Sequence, residues 1–358
     1  MNKTCFVIAP LGHEGTEVRR RSDELTDFVI KPALEPFSYI ITRIDRLSRP
    51  GNITRDIIQQ NLEADLVIAD ISGSNPNVMY ELGVRHSTGK PVVLMTSESD
   101  RIPFDISGIR VLVYDLKSVA SIRDAVLQLR AFVSVLQASS TPDSPVFEAQ
   151  AYRRFVAEVG ADRDARKSTD TQDSVLKAIA ERMGTLEARI TDLAGLASSS
   201  SANVPTKYTR DVFIVHGHDG ELKNELARLL ERLEFHVIIL HEQADKGQTI
   251  IQKLQYEGSR VGFAFILHTP DDEGRIANTD SALSPRSRQN VVFEHGMFVG
   301  RFTHSRVCAI VKQGVEIPSD LSGIVYKTIP SGGGIQSIAL EIVRELRAAD
   351  YVVDANKL

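Results

Sequence analysis

Two glutamates stand in nearly the same words of this sequence. Glu294 interrupts the apolar run of NVVFEHG (290–296), and Glu81 holds the same place in NVMYELG (77–83). An ionised carboxylate among apolar residues needs a partner, because burial disfavours its charged form. The bland use of such a glutamate is a first-turn residue favoured by the helix dipole. The chemical use is a partly desolvated, oriented carboxylate in an active site. Gly296 and Gly300 follow Glu294, and glycine inside a helix costs about 1 kcal/mol against alanine. That pair of glycines implies that something approaches the helix closely. The recurrence at Glu81 makes the position part of the fold's plan, without separating catalysis from an inherited structural role.

Other polar residues gather where chain turns are expected. His216, Gly217, His218 and Asp219 end the apolar run VFIV, with Gly220 to let the chain turn and a helix N-terminus behind it that offers amides to a phosphate. Asp219 serves equally well as the helix N-cap. Lys246 and Gly247 lie in ADKGQT (244–249), a plausible diphosphate contact that lacks the order of a Walker A motif. Arg288 and Asn290 flank the glutamate helix, where Asn290 also reads as a cap. Arg19, Arg20 and Arg21 read either as a solvated helix start or as a holder of nucleotide phosphates in the first half. None of the histidines at 216, 218, 236, 241, 268, 295 and 304 has a partner at metal-ligand spacing, so no metal is expected.

The elements that would position these groups come in two sets. CFVIAP (5–10) answers VFIVHG (212–217), ADLVIAD (64–70) answers GFAFILH (262–268), and IPFDISGI (102–109) answers IPSDLSGI (317–324). Each set ends in an amphipathic helix, at 119–136 and 335–349. Within the second set, strands at 211–216, 235–240, 262–267 and 306–311 alternate with helices at 221–234, 249–256 and 292–300. Leu222, Leu226, Leu229, Leu230 and Leu233 fall on one face of the first of these helices. Continuous apolar strands alternating with helices predict an α/β fold of two doubly wound parallel-sheet domains. Ligands of such sheets bind beyond the carboxyl ends of the strands, so the turns after Val215, Leu240 and Leu267 should line a site. The polar insertion 269–288 reads as a loop.

The predicted organisation is a first domain over 1–137, a helical linker over 138–209 and a second domain over 210–358. SSSSANVPT (198–206) reads as a flexible stretch. Leu176, Ile179, Met183, Leu186, Ile190 and Leu193 keep a 3-4 spacing, which predicts a self-associating coiled coil over 173–197. With 358 residues, a net charge of −5 and a pI near 6.0, the chain has no general electrostatic attraction to nucleic acid or anionic membrane. Two cysteines, no apolar leader and no apolar run of membrane length point to a cytoplasmic protein.

The stretch DVFIVHGHDGELKNELARLLERLEFHVIILHEQADKGQTIIQKL, with VGFAFILHTPDD and RQNVVFEHGMFVGRFTHSRVCAIVKQGVEIPSDLSGIVY, resembles the bacterial TIR-like domain of effectors in cyclic-nucleotide anti-phage defence, the CBASS and Pycsar systems. The likeness covers about 211–330. It implies a flavodoxin-like TIR fold, TIR–TIR contacts and NAD hydrolysis, with NAD as substrate, no cofactor and Glu294 at the active position. The first half is similar to TIR-like domains related to nucleoside 2-deoxyribosyltransferases, through ADLVIADISGSNPNVMYELGVRHSTGKPVVLM. That likeness implies a nucleotide ligand near Asp70, Asn77 and Glu81, with Glu81 at the nucleophile position.

Both families break an N-glycosidic bond at a ribose anomeric carbon. A carboxylate beneath the ring stabilises the oxocarbenium-like transition state or forms a glycosyl intermediate. Nicotinamide leaves neutral from a cationic ring, so one glutamate suffices without an acid. The expectation is an NAD nucleosidase in a regulated defence effector. The alternatives are a non-catalytic nucleotide-sensing scaffold, or a transferase acting through Glu81. His295 stands where relatives carry an apolar residue, and the SGSNPN loop after Asp70 departs from the transferase pattern.

Overall fold

A computed structural model describes residues 3–46, 53–97, 109–138, 209–240, 250–258, 260–275, 282–321 and 325–358. The heptad segment 173–197, the predicted linker and Lys246 lie outside these residues. In the first half, β1 (Thr4–Ile8), β2 (Ile40–Arg43), β3 (Leu66–Asp70), β4 (Val92–Ser97) and β5 (Val111–Tyr114) form one sheet in the order β2-β1-β3-β4-β5. In the second, β6 (Asp211–Val215), β7 (His236–Ile239), β8 (Phe263–His268), β11 (Val307–Lys312) and β12 (Lys327–Ile329) run β12-β11-β8-β6-β7. Read from its other edge, the second order repeats the first, and every pairing within both sheets is parallel. This is the flavodoxin-like strand order, twice. The central strands β3 and β8 are buried along their whole length, as strands covered on both faces must be.

The helices are α1 (Glu17–Glu24), α2 (Lys31–Leu34), α3 (Ile53–Glu63), α4 (Pro76–Ser87), α5 (Val119–Ala138), α6 (Gly220–Arg232), α7 (Ile250–Gly258), α8 (Gln289–Phe302) and α9 (Ala339–Ala348). One core packs on the outer face of each sheet: Leu25, Val29, Leu129 and Val133 over the first, and Leu222, Leu226, Ile342 and Leu346 over the second. The third core is shared. It joins Phe6, Met79, Tyr80 and Leu82 to Phe213, Val292, Phe293 and Phe298, between the sheets. Residues 1–149 and 209–358 accordingly form one compact unit.

At the centre of that shared core α4 crosses α8 with backbone against backbone. A Cβ on Gly83 would stand 2.0 Å from the Phe293 carbonyl oxygen and 2.9 Å from the Met297 nitrogen; one on Gly296 would stand 2.0 Å from the Tyr80 carbonyl oxygen and 3.0 Å from the Val84 nitrogen. Gly83 and Gly296, Tyr80 and Phe293, and Val84 and Met297 are matched positions of the repeat, so each half makes the same contact on the other. The crossing has the reciprocity of a two-fold dimer interface inside one chain. Gly300 packs likewise on Ser87, where a Cβ would meet the hydroxyl at 2.2 Å. What approaches the glycines is therefore the first half's own glutamate helix, where the sequence had left the visitor open.

Buried arginines brace the first half. The Arg43 guanidinium, 1% exposed, donates to Asp45 and Asp23 carboxylates, the Ser22 carbonyl and the Thr26 hydroxyl. Arg19 is paired with Asp23 at 3.1 Å and Asp45 at 2.7 Å, and Arg20 lies 3.9 Å from Glu24. These two members of the arginine run are thus engaged by local carboxylates. The insertion 269–288 also differs from its reading as a loop. It contains an antiparallel hairpin, β9 (Asp272–Gly274) with β10 (Ser284–Arg286), too short and polar to show a strand period.

Candidate active site

The carboxyl ends of β6 and β8 open onto a cluster of polar loops. His216 follows β6, half-buried, with Nδ1 at 2.7 Å from the Gly217 carbonyl oxygen. A Cβ on Gly217 would stand 1.8 Å from an Asp271 carboxylate oxygen, so a larger residue there would have to displace Asp271. Asp271 comes from the turn after β8. It accepts from the His218 backbone amide at 3.1 Å and from the Thr269 hydroxyl at 2.6 Å, which locks the two strand-end turns together. The His218 Nε2 meets a guanidinium nitrogen of Arg288. Arg288 occupies the N-cap position of α8 and places no side-chain cap on the helix amides.

Asp219 turns away from this group. Its carboxylate accepts from the Leu222 amide at 2.9 Å as the N-cap of α6 and pairs with Lys312 on β11. Partial burial works against the charge, but Lys312 and the helix amides prevail and hold the carboxyl below its ordinary value. Of its two sequence readings, the cap is the one its contacts express. Asn290 lies inside α8, one turn from Glu294, and is not its cap.

Glu294 is the only polar residue between Val291 and Val299 apart from His295, and it stays half-buried where its neighbours are buried. Glu294 is not without a partner. Helical spacing sets Asn290, Glu294 and Arg301 on one stripe, beside the face of Phe293, Gly296 and Gly300 that meets α4. His295 points to the sheet. Its Nδ1 lies 3.2 Å from Nε2 of His268, at the end of β8, whose Nδ1 lies 2.8 Å from the Ser287 hydroxyl. Burial holds both rings neutral, pulling His268 down to about 4 and His295 well below its ordinary value. This Ser287–His268–His295 line pins α8 to the carboxyl end of the central strand β8.

The first half builds its matching glutamate differently. Asp70, fully buried at the end of β3, accepts from the Ser72 amide at 3.1 Å and hydroxyl at 2.5 Å and from the Tyr114 hydroxyl at 3.0 Å. Burial raises its pKa against those bonds. Glu81 is buried, and burial together with the nearby Asp320, in the turn Ser319–Leu321 of the second half, raises its carboxyl well above the ordinary value. Asn77 donates from Nδ2 to the Ser319 hydroxyl at 2.6 Å. Asn77 and Glu81 thus meet protein, while Asp70 bonds within its own half.

Residues 211–331 match the family of the CAP12/Pycsar effector protein TIR domain. This half is a TIR domain. Among curated relatives, the chain is 38% identical over 149 residues to the uncharacterized protein YuaY of Escherichia coli (strain K12), covering 42% of this chain and 48% of that one. It is 36% identical over 124 residues to protein tirC of Dictyostelium discoideum, covering 32% and 62%. It is 33% identical over 116 residues to CD-NTase-associated protein 12 of Flavobacterium daejeonense, covering 31% and 36%. The chain thus spans less than two thirds of the length of each of these relatives. The matched TIR segment contains His216–Asp219, Asp271, Arg288 and Glu294.

Sequence reading named the turn after Leu267 as part of the site but not its agent. TPDD at the end of the central strand was the available signal for Asp271. Nothing near Glu81 in sequence announced Asp320. Among the described residues no group of three or more His, Cys, Asp and Glu side chains is arranged to hold a metal ion, and no helix is long and apolar enough to cross a membrane.

Proposed function

We propose that the TIR domain cleaves NAD at the nicotinamide–ribose bond, releasing nicotinamide and ADP-ribose, as the effector of a regulated bacterial anti-phage response. The observation that carries this reading is the difference between the two glutamates. Glu81 is buried near Asp320, whereas Glu294 holds a half-buried position on the helix that starts at the mouth of the sheet. A carboxylate so placed has lost enough water to act strongly on a developing cation and keeps an approach for a ribose ring. It stabilises the oxocarbenium-like centre as the pyridinium bond breaks and nicotinamide takes the bonding electrons, and water then completes hydrolysis.

His218, Arg288 and the uncapped first turn of α8 are the groups that would hold the diphosphate, with a fixed guanidinium and backbone amides turned to the anion. Lys246 and Asn290 are assigned to the same substrate. His216, Gly217 and Asp271 keep the first turn in place. Asp219 acts on the site through the fold of α6. The first half and the 173–197 heptads assemble or regulate the enzyme, and association through those heptads raises the local concentration of TIR domains.

The test is incubation of the full chain and its Glu294→Gln variant with NAD, followed by chromatography of nicotinamide. Loss of at least a hundredfold in rate, with an unchanged melting midpoint, is the expected result, on the scale of removing a principal electrostatic stabiliser, about 3 kcal/mol. Equal turnover in the two proteins refutes the assignment, and no turnover in either favours the non-catalytic scaffold.

A further inference from the structure

A cleft of about 850 Å³ opens on the seam between the halves, within the range of about 300–1,000 Å³ usual for ligand sites. One wall is α3 of the first half, where Thr54, Ile58 and Leu62 recur every fourth residue and so share a face. The other wall is the turn at His304 with Val307, the first residue of β11. Because both sheets are parallel, the cleft meets β11 at the opposite end from the turns of the candidate active site. Ile58, Leu62 and Val307 are only partly buried and pack on the edge of the shared core, so the floor is apolar. Val325 stands at the lip with 83% of its surface exposed.

The charges around this floor are unevenly matched. Glu345 on α9 lies 2.7 Å from the Lys327 ammonium, and Arg55 is not without a partner. His304 sets Nε2 3.4 Å from the Tyr80 hydroxyl, and burial lowers its pKa, so it offers hydrogen bonding and no charge. Glu63 differs from these three. Its carboxylate accepts from the Gln59 side-chain amide at 3.0 Å, and among the described residues no lysine or arginine is ion-paired with it. Lys90 donates to the Leu62 and Glu63 carbonyl oxygens at 2.7 and 3.3 Å. Glu63 is also the last residue of α3, where the helix dipole works against a carboxylate and favours a cation.

We propose that this seam cleft binds a small organic cation with an apolar body: the body lies on Ile58, Leu62 and Val307, and its ammonium group pairs with Glu63. An anionic ligand is disfavoured, because it would bring like charge to Glu63 and Glu345. A neutral one fills the floor and leaves Glu63 without a counter-ion.

Such a ligand touches both halves at once. It binds only where α3 of the first half faces β11 of the second, so its free energy adds to the docked arrangement by mass action. The site stands on the seam alone and is independent of the NAD reading.

Three probes with one body test it: 4-phenylbutylammonium, 4-phenylbutanol and 4-phenylbutyrate, titrated calorimetrically into the full chain at neutral pH. The ammonium probe should bind about tenfold tighter than the alcohol, the worth of one charge-assisted contact, and the carboxylate probe should bind weakest. Glu63→Gln, at an exposed position, should abolish the preference for the ammonium and leave the alcohol's affinity unchanged. Hydrogen exchange with the ammonium probe bound should slow in both 54–63 and 303–308. No measurable binding of the ammonium probe overturns the site, as do equal affinities for the three head groups, a preference that survives Glu63→Gln, or protection confined to one half. None of these readouts involves NAD, so failure here leaves the nucleosidase reading untouched, and failure of that reading leaves this test intact.

Discussion

The reciprocal glycine crossing makes a prediction opposite in sign to ordinary helix propensity. Replacing a mid-helix glycine by alanine usually stabilises a protein by about 1 kcal/mol. At Gly296 the new Cβ would lie 2.0 Å from the Tyr80 carbonyl oxygen, 2.9 Å from the carbonyl carbon and 3.0 Å from the Val84 nitrogen, all backbone atoms that cannot rotate away. Contact at ordinary separation, 3.4 Å or more, requires the helices to part by over 1 Å. A gap of that size forfeits a quarter to a half of each dispersion contact along the crossing, and overpacking of this kind costs about 1–3 kcal/mol. Because both partners are backbone, the upper end applies, and Gly296→Ala should lose about 2 kcal/mol net, or roughly 3 °C of melting midpoint in a chain of this size. Gly220→Ala is the control, since nothing lies within 4 Å of a Cβ there and its φ is ordinary; it should be neutral or slightly stabilising. Both variants are read by differential scanning fluorimetry. A Gly296→Ala protein as stable as the unaltered chain, and impaired only in NAD turnover, would refute the helix crossing as the reason for the glycine and return it to the substrate.

Arg288→Ala should raise the KM for NAD by about tenfold, the loss of one charge-assisted contact, and leave the midpoint unchanged because the side chain caps nothing; an unchanged KM removes it from the diphosphate site. On the acid side, His268 and His295 are buried neutral, so the unfolded chain takes up protons below its ordinary 6.5 that the folded chain refuses down to about 4 for His268. Stability should fall through that window by up to about 3 kcal/mol for His268 alone, and a midpoint flat from pH 6.5 to 4.5 would show these rings to be hydrated.

How far the sequence carried the fold depends on what kind of signal each element left. Continuous apolar runs such as LVIAD and FAFILH declared buried parallel strands, and the four leucines of α6, with Leu233 at its C-cap, fall on the face that packs, because periodicity reports burial directly. The repeat was equally visible. Its consequence was not, since a glycine in a helix announces close approach without naming the visitor. Asp219 shows the same limit: N-cap and ligand contact have one sequence signature, and only the position of Lys312, remote in the chain, separates them. Asp320 was out of reach for the same reason, as its meaning exists only once the two halves dock. Asp271 was nearer, because a polar turn at the end of the central strand is where such folds place their contacts.

A duplicated unit that docks on itself would by default dock symmetrically, and the departures from symmetry show where the halves have specialised. Tyr80 stands where the second half has Phe293, and its hydroxyl reaches His304. His295 stands where the first half has Leu82, and it reaches His268. Asn77 and Asn290 are matched, yet Asn77 bonds Ser319, for which IPFDISGI has Phe104. The Tyr80–His304 and Asn77–Ser319 contacts form only when a first half meets a second, whereas His295–His268 lies within the second half. Two second halves meeting through α8 would set Phe293 where Tyr80 should reach His304, and would bury polar atoms unpaired at a cost of about 1–3 kcal/mol each. The apolar glycine crossing supplies adhesion that either pairing can use, whereas the polar pairs decide which one forms. The TIR domain therefore has its α8 face occupied by its own chain, which leaves only its other surfaces for any contact with a second chain.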